Sequence, residues 1–317
     1  MINAPMSQIR PPFAPPAQTA FRYRAFGIGI TSQIELPLLT LDHTGDAPSV
    51  SIAASNIQCN NFEAKDCGVL WKTAPDQFQI SVPGIGTMRV QNGCDIALDI
   101  LPEAAPEQVE TLILSTGFCA LLQQRHLLAM HAAAVVTDAG AALLAGVSGA
   151  GKSLLLAALN QRGFQMISDD ITALENIDGE YVARPSWNAV KLMPDASAKL
   201  GLDMELNHQG KHVFKMPDFC TRKMRVDQII FLDWTPETVT TLDQISGVEV
   251  LAPLTRCVHK RAFLKGMQLF QPYFNALNGI TRQARVYHLK KPHDLACLES
   301  GVDVLAAHLS APLEAQK

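Results

Sequence analysis

Between Phe21 and about Pro102, polar and apolar residues alternate in short bursts. Phe21-Arg-Tyr-Arg-Ala-Phe-Gly-Ile-Gly-Ile30, Ser49-Val-Ser-Ile-Ala53, Phe78-Gln-Ile-Ser-Val82 and Gly86-Thr-Met-Arg-Val90 each follow a period of two, with Gly, Pro, Asn and Asp between them. That period predicts strands with one buried face, joined by turns. At Pro106 the period changes. Val109, Leu112, Ile113, Leu121 and Leu122 fall on one face at helical spacing, Pro106 suits a first helical turn, and Glu107 and Glu110 suit the positive end of the helix.

Apolar runs too short for periodicity follow. His131-Ala-Ala-Ala-Val-Val136 predicts a buried strand, reversed by a turn at Asp138-Ala-Gly140, and Ala141-Ala-Leu-Leu-Ala145 predicts a second strand. Leu154 to Leu159 predicts a helix capped by Gly163, and Phe164 to Ser168 a strand ending at Asp169-Asp170. Shorter strands are predicted at Ile171 to Leu174, Tyr181 to Ala183, Ala189 to Leu192 and Arg225 to Asp233, and a last helix at about Pro292 to His308. The pattern divides the chain into a flexible tail over 1–20 with five prolines, a β-rich N-terminal domain over 21–104, and an α/β domain over 105–317.

Composition narrows the class of protein. Of 317 residues, 48% are hydrophobic and 18% charged, which permits a large core and excludes global disorder. A net charge of −4 gives no support for general nucleic-acid binding. Seven scattered cysteines without C-x-x-C spacing fit a reducing cytoplasm and argue against a disulfide framework or a zinc site. There is no secretory apolar segment and no run of 18 apolar residues, so the expectation is a cytoplasmic protein without a membrane partner.

The chemistry centres on Gly146-Val-Ser-Gly-Ala-Gly-Lys-Ser153, which fits the phosphate-loop pattern G-x-x-x-x-G-K-[ST] between a strand and a helix. Glycines let backbone N–H groups close around phosphate oxygens at the positive end of the new helix. Lys152 is expected at the β- and γ-phosphates and Ser153 at Mg²⁺. Asp169 and Asp170 lie one helix, one turn and one strand downstream, a path that can return both carboxylates to the phosphates, one to hold metal and one to accept a proton. His131, if its turn is tight, reaches the same end of the sheet and can tune a carboxylate. A rival metal ligand is Asp233, which ends an apolar strand as the metal-binding Asp of ordinary P-loop ATPases does. From Ala252 to Lys291 there is no acidic residue but eight basic ones, Arg256, Lys260, Arg261, Lys265, Arg282, Arg285, Lys290 and Lys291, a candidate surface for an anionic substrate, a nucleotide or a partner subunit. Lys211 and Lys215 are weaker candidates for substrate contact.

In order and spacing, His131-Ala-Ala-Ala, Gly146 to Ser153 and Ile167-Ser-Asp-Asp170 resemble the catalytic core of the HPr kinase/phosphorylase family. The resemblance is closest to the HPr-kinase-like proteins that phosphorylate lasso-peptide precursors. It covers about Leu128 to Leu174 clearly and extends loosely through Pro185 to Pro194 and Arg225 to Trp234; Tyr23-Arg-Ala-Phe-Gly-Ile28 also looks like those relatives. The resemblance implies a P-loop kinase core of HPr kinase/PEP carboxykinase type and transfer of the ATP γ-phosphate to a serine of a peptide. It places Gly146, Ser148, Gly149, Ala150, Gly151, Lys152, Ser153 and Leu154 at the nucleotide. It makes Asp169 the proton acceptor, pairs Asp170 with Ser153 as metal ligands, and sets His131 beside the catalytic aspartate. Leu154 stands where HPr kinases carry Glu, and their downstream Gly- and Arg-rich signature has no counterpart, so a peptide is the expected substrate rather than HPr. The expectation is an ATP- and Mg²⁺-dependent peptide serine kinase, possible homo-oligomer included. Its rivals are an ATPase or small-molecule kinase using Asp233, and a non-catalytic nucleotide-binding regulator.

Overall fold

The computed structural model describes residues 20–57, 62–203 and 206–312. The Pro-rich stretch read as a flexible tail falls almost wholly outside the described residues, as does Cys59.

The alternating N-terminal segments build a nine-stranded sheet. Its central strands are Ile28–Ser32, Val50–Ala54, Asp95–Ile100 and Gly86–Gln91, with Phe21–Ala25 and Gln77–Val82 flanking them. Phe78, Met88, Val90, Ile96 and Leu98 point to one side and are buried there, as the period-two reading requires. The helical run from Pro106 lies against this sheet. It is continuous from Pro106–Thr111 through a wider π-type turn, Leu112–Gly117, into Phe118–Gln124. The wide turn contains Gly117, where an added Cβ would sit 3.0 Å from the Met88 sulfur, so the helix approaches the sheet closely there.

A second sheet carries the chemistry. Its order is Leu128–Met130, Thr172–Ile177, Glu180–Arg184, Met224–Thr235, Gly140–Ala145, Ala132–Thr137, Met166–Ser168, and Arg285–Pro292 lies on the other side of Met224–Thr235. The strands Gly140–Ala145 and Arg285–Pro292 run parallel to Met224–Thr235. Their carboxyl ends therefore share one edge, where ligand sites form in open α/β sheets. The turn after Thr137 is tight, pairing Thr137 with Gly140 and Ala132 with Ala145, so His131 is carried back to that same edge. Ser168 pairs with Ala134, which delivers the two aspartates to it as well.

Alternate residues of this sheet feed two cores. Ala134, Leu143, Ile229 and Phe231 join the N-terminal sheet and its helix in one continuous cluster. Ala133, Val135, Ala142, Leu144, Ile230 and Leu232 face the Lys152–Gln161 helix, the Leu298–Ser310 helix and a small sheet of Ala189–Leu192, Lys211–Lys215 and Leu206–His208. Burial on both faces explains why these strands read as unbroken apolar runs. The N-terminal β region thus shares its core with the second sheet. A buried Glu110 ties the parts together further: it accepts the Leu38 N–H at 2.8 Å and meets His208 Nε2 at 3.2 Å.

One expected element is displaced. The last helix starts at Leu298, not near Pro292, because the chain up to Pro292 is a strand, with Pro292 paired opposite Thr235. The Asp294 side chain then caps a short turn, Leu295–Cys297, by accepting the Ala296 N–H at 2.8 Å. The strands read at Ile171, Tyr181 and Arg225 hold, with bounds Thr172–Ile177, Glu180–Arg184 and Met224–Thr235.

Candidate functional site

The glycine loop leaves the Gly140–Ala145 strand and enters the Lys152–Gln161 helix, which begins at Lys152 itself. Gly149 and Gly151 hold φ values of 85° and 90°, a left-handed backbone that a side chain would strain. Lys152, 7% exposed, folds back over the loop and donates to the carbonyls of Gly146 at 2.9 Å and Val147 at 3.0 Å. Burial lowers its proton affinity, while Asp169, Cys257 and Asp170 pull it back up.

The two aspartates diverge. Asp169 is 5% exposed and its Oδ1 accepts the Ser153 hydroxyl at 2.9 Å. Burial, reinforced by the charge of Asp170, pushes its carboxyl up to about 6, against the opposing pull of Ser153, the Asp170 N–H and Lys152. Asp170 adopts φ 65°, so its side chain leaves on the other side, toward His131, whose Nδ1 is 3.3 Å from Oδ1 and 3.1 Å from the Asp170 carbonyl. Burial acts to raise the Asp170 carboxyl, but the hydrogen bond with His131 and the neighbouring His259 hold it well below the usual carboxylate range. The expected metal pair, Ser153 with Asp170, is therefore not the pair in contact: Ser153 meets Asp169, because the left-handed turn at Asp170 aims its carboxylate at the histidine.

Lys152, Ser153, Asp170 and His131, but not Asp169, border a cleft of about 570 Å³. One wall carries Ser148, Gly149, Gly151, Lys152, Ser153 and Leu154 of the loop, with His131 and Asp170. Facing them are Lys191, Met193 and Asp195 near the small sheet, Lys211, and a wall of Trp234, Lys291, Pro292 and His293. Gly146 opens instead onto a smaller cavity of about 240 Å³. Ala150, 1% exposed, is packed in the core beneath the loop.

Asp233 is set apart. It borders the smaller cavity with Arg256, its side chain is 60% exposed, and its Oδ1 accepts its own neighbour's N–H, that of Trp234, at 2.8 Å. The basic run disperses. Lys265 pairs with Asp66 at 3.1 Å, Lys260 and Arg261 are exposed, and only Lys291 enters the main cleft. Of the two loop lysines, Lys211 lines the cleft, whereas Lys215 donates to the carbonyls of Pro37 and Leu38, each at 3.2 Å, and so braces the N-terminal sheet.

Several cleft residues were invisible to the motif. Trp234 and Lys291 are opposite each other in a parallel strand pair separated by half a hundred residues of chain; in the sequence Lys291 stood out only as one of eight basic residues, and Trp234 only as the residue that follows the Arg225 to Asp233 strand. His259, whose ring centroid is 5.5 Å from that of His131, is depressed to about 4 by burial. Cys257 accepts the His131 N–H through its carbonyl at 2.6 Å, and burial raises its thiol. The described cysteines are free thiols, and among the described residues no cluster of three His, Cys, Asp or Glu side chains could hold a metal. No helix among them is long and apolar enough to cross a membrane.

No protein-family model and no curated protein matches the chain. Among solved structures it is similar to the HPr(Ser) kinase/phosphatase from Coxiella burnetii, at 14% identity, with 56% of this chain and 90% of that chain covered and a TM-score of 0.29. This is a distant likeness of fold and carries no argument about activity or substrate.

Proposed function

We propose that the protein is an ATP- and Mg²⁺-dependent kinase that phosphorylates the hydroxyl of a peptide serine. The observation that carries the reading is the hydrogen bond between Ser153 on the glycine loop and the buried Asp169, with the Asp170–His131 pair beside it on the cleft wall.

The residues present fit a magnesium ion. A buried carboxylate pushed up to about 6 is an anion short of positive charge, and with a hydroxyl at 2.9 Å it forms a pair of hard oxygen donors. Mg²⁺ is held in this way in phosphoryl-transfer sites, by one or two protein oxygens, with water and substrate phosphates supplying the rest. When bound, Mg²⁺ supplies charge neutralisation for the terminal phosphates. Lys152 would exchange the carbonyls of Gly146 and Val147 for phosphate oxygens. Asp170 and His131, which border the cleft, would orient the incoming hydroxyl and accept its proton. Geometry ranks ahead of proton affinity in choosing a base, and Asp169 lies behind Ser153. This exchanges the roles that the resemblance gives the two aspartates. Positioning and charge neutralisation carry most of the barrier reduction in such reactions.

A peptide acceptor, and a lasso-type precursor in particular, is supported by the sequence resemblance; Lys191 and Lys211 line the cleft. The test is transfer of labelled γ-phosphate from ATP to serine peptides, against ATP hydrolysis alone, in wild type, Asp169→Asn, Asp170→Asn and Asp233→Asn. Asp169→Asn should raise the Mg²⁺ concentration needed, and Asp170→Asn should lower turnover with the Mg²⁺ requirement unchanged. The reversed pattern restores the roles that the resemblance implies. Peptide-independent hydrolysis lost only in Asp233→Asn favours the ATPase, and tight ATP binding without turnover favours the regulator.

A further inference from the structure

One cation of the cleft has no role in that scheme. Lys291 is the last residue but one of the Arg285–Pro292 strand and is 6% exposed, yet it borders the cleft. Its ammonium stands 3.5 Å from the centroid of the Trp234 ring, its neighbour in the parallel strand pair. Among the described residues no carboxylate lies within ion-pair distance of the ammonium, which rests on that ring. Burial lowers its proton affinity to about 8, with no partner to restore it. It also lies close to the phosphate loop: a Cβ placed on Gly151 would lie 3.3 Å from the Lys291 ammonium.

A buried ammonium without a counterion is costly, and a fold retains one where an anion arrives. Here the anion's position is marked from three sides. Lys152 opens the helix after Gly151, the N-terminal end of that helix projects its N–H groups and positive dipole, and Lys291 closes from the neighbouring strand. The aromatic face holds the ammonium while no phosphate is present, since an indole ring is the best neutral host for a cation.

We infer that Lys291 is a second phosphate-binding lysine, which leaves the face of Trp234 to contact the polyphosphate of the bound nucleotide. The inference rests on the nucleotide reading of the cleft and adds to it the strand that reaches the phosphates from outside the loop. Trp234 thereby becomes a reporter of occupancy, because the charge on its ring departs when phosphate binds.

The experiment titrates the full chain with MgADP, and separately with magnesium pyrophosphate, by calorimetry and by tryptophan emission. The variants are Lys291→Met, Lys291→Arg and Lys152→Ala, with Trp234→Phe to separate its emission from that of Trp71 and Trp187. Lys291→Met should weaken both ligands at least about 10-fold, as loss of a charged hydrogen bond does. Lys291→Arg should keep most of the affinity. Pyrophosphate should change the emission of wild type but not that of Lys291→Met or Trp234→Phe. If Lys152→Ala loses binding while Lys291→Met binds both ligands as wild type does, this inference falls and the nucleotide reading survives. If wild type binds neither ligand, both fall together.

Discussion

Replacing Lys291 with Met should make the protein more stable while impairing nucleotide binding. In the unfolded chain the lysine titrates at its ordinary 10.5; in the fold, burial brings it to about 8. At about 1.4 kcal/mol per pKa unit, a shift of some 2.5 units corresponds to roughly 3 kcal/mol of desolvation borne by the charged form. The Trp234 face returns about 1–2 kcal/mol of this. The net penalty at neutral pH is then about 1–2 kcal/mol. Methionine is close in volume, unbranched and apolar, so it fills the channel of the lysine stem without the charge. At about 2 °C per kcal/mol for a chain of this size, the melting temperature should rise by roughly 2–4 °C. The pH dependence has a definite sign. The folded value lies below the unfolded one, so the unfolded state binds more protons between pH 8 and 10.5 and the penalty grows as pH falls through that window. The gap between variant and wild type should be full at pH 7–8 and shrink toward pH 10. Calorimetric melting of both proteins without nucleotide, from pH 7 to 10, measures it, and every titration common to the two cancels in the difference. A Lys291→Met protein that melts at or below wild type, with a gap indifferent to pH, would refute the reasoning.

Gly151→Ala should weaken nucleotide binding and lower stability by about 1 kcal/mol, since φ is 90° there and the new Cβ would press on Lys291 at 3.3 Å; calorimetry with MgADP and a urea melt read the two effects. Glu110→Ala strips the acceptor from the buried Leu38 N–H and from His208, and should cost about 3–5 kcal/mol in urea unfolding; a loss under 1 kcal/mol would contradict the bracing role. His259 carries acid sensitivity: its folded value of about 4 lies below the ordinary 6.5, so stability is present above pH 6.5 and is lost as pH falls toward 4. The loss is at most about 3 kcal/mol, less for the ring's partial exposure, and His259→Gln should flatten the melting temperature between pH 6.5 and 4.5 relative to wild type.

What the chain disclosed, and what it withheld, follows the range of the interactions. The strand, loop and helix from Ala141 to Leu159 were legible because glycine spacing and the lysine are consecutive in sequence and act on one another locally. His131 was legible through one further step, a turn at Asp138 to Gly140 short enough to force an antiparallel return. The meeting of Trp234 with Lys291 was not, although Lys291 stood in the basic run, because the two come together only through a parallel strand pair, and period and composition do not say which strands will neighbour one another. Pro292 misled for a related reason. Proline suits a helix start, but it also suits a strand end, where its missing N–H is not needed, and only the pairing with Thr235 decides between them.

The adjacent aspartates show the limit most sharply. Their adjacency suggests two carboxylates dividing two jobs beside the phosphates, but not which takes which partner: Asp169 accepts the Ser153 hydroxyl, while Asp170, at φ 65°, meets His131. Once parted, Asp170 helps set the state of Asp169. The charge held on Asp170 by His131 raises its buried neighbour, and in the proposed reaction a raised, buried Asp169 beside Ser153 would favour an arriving cation. In the proposed reaction Asp170, kept ionised at the cleft wall, would be available to a hydroxyl without competing for the metal. Two like charges at neighbouring positions, pushed to opposite ends of the carboxylate range by their surroundings, would let one short turn serve both halves of the proposed phosphoryl transfer.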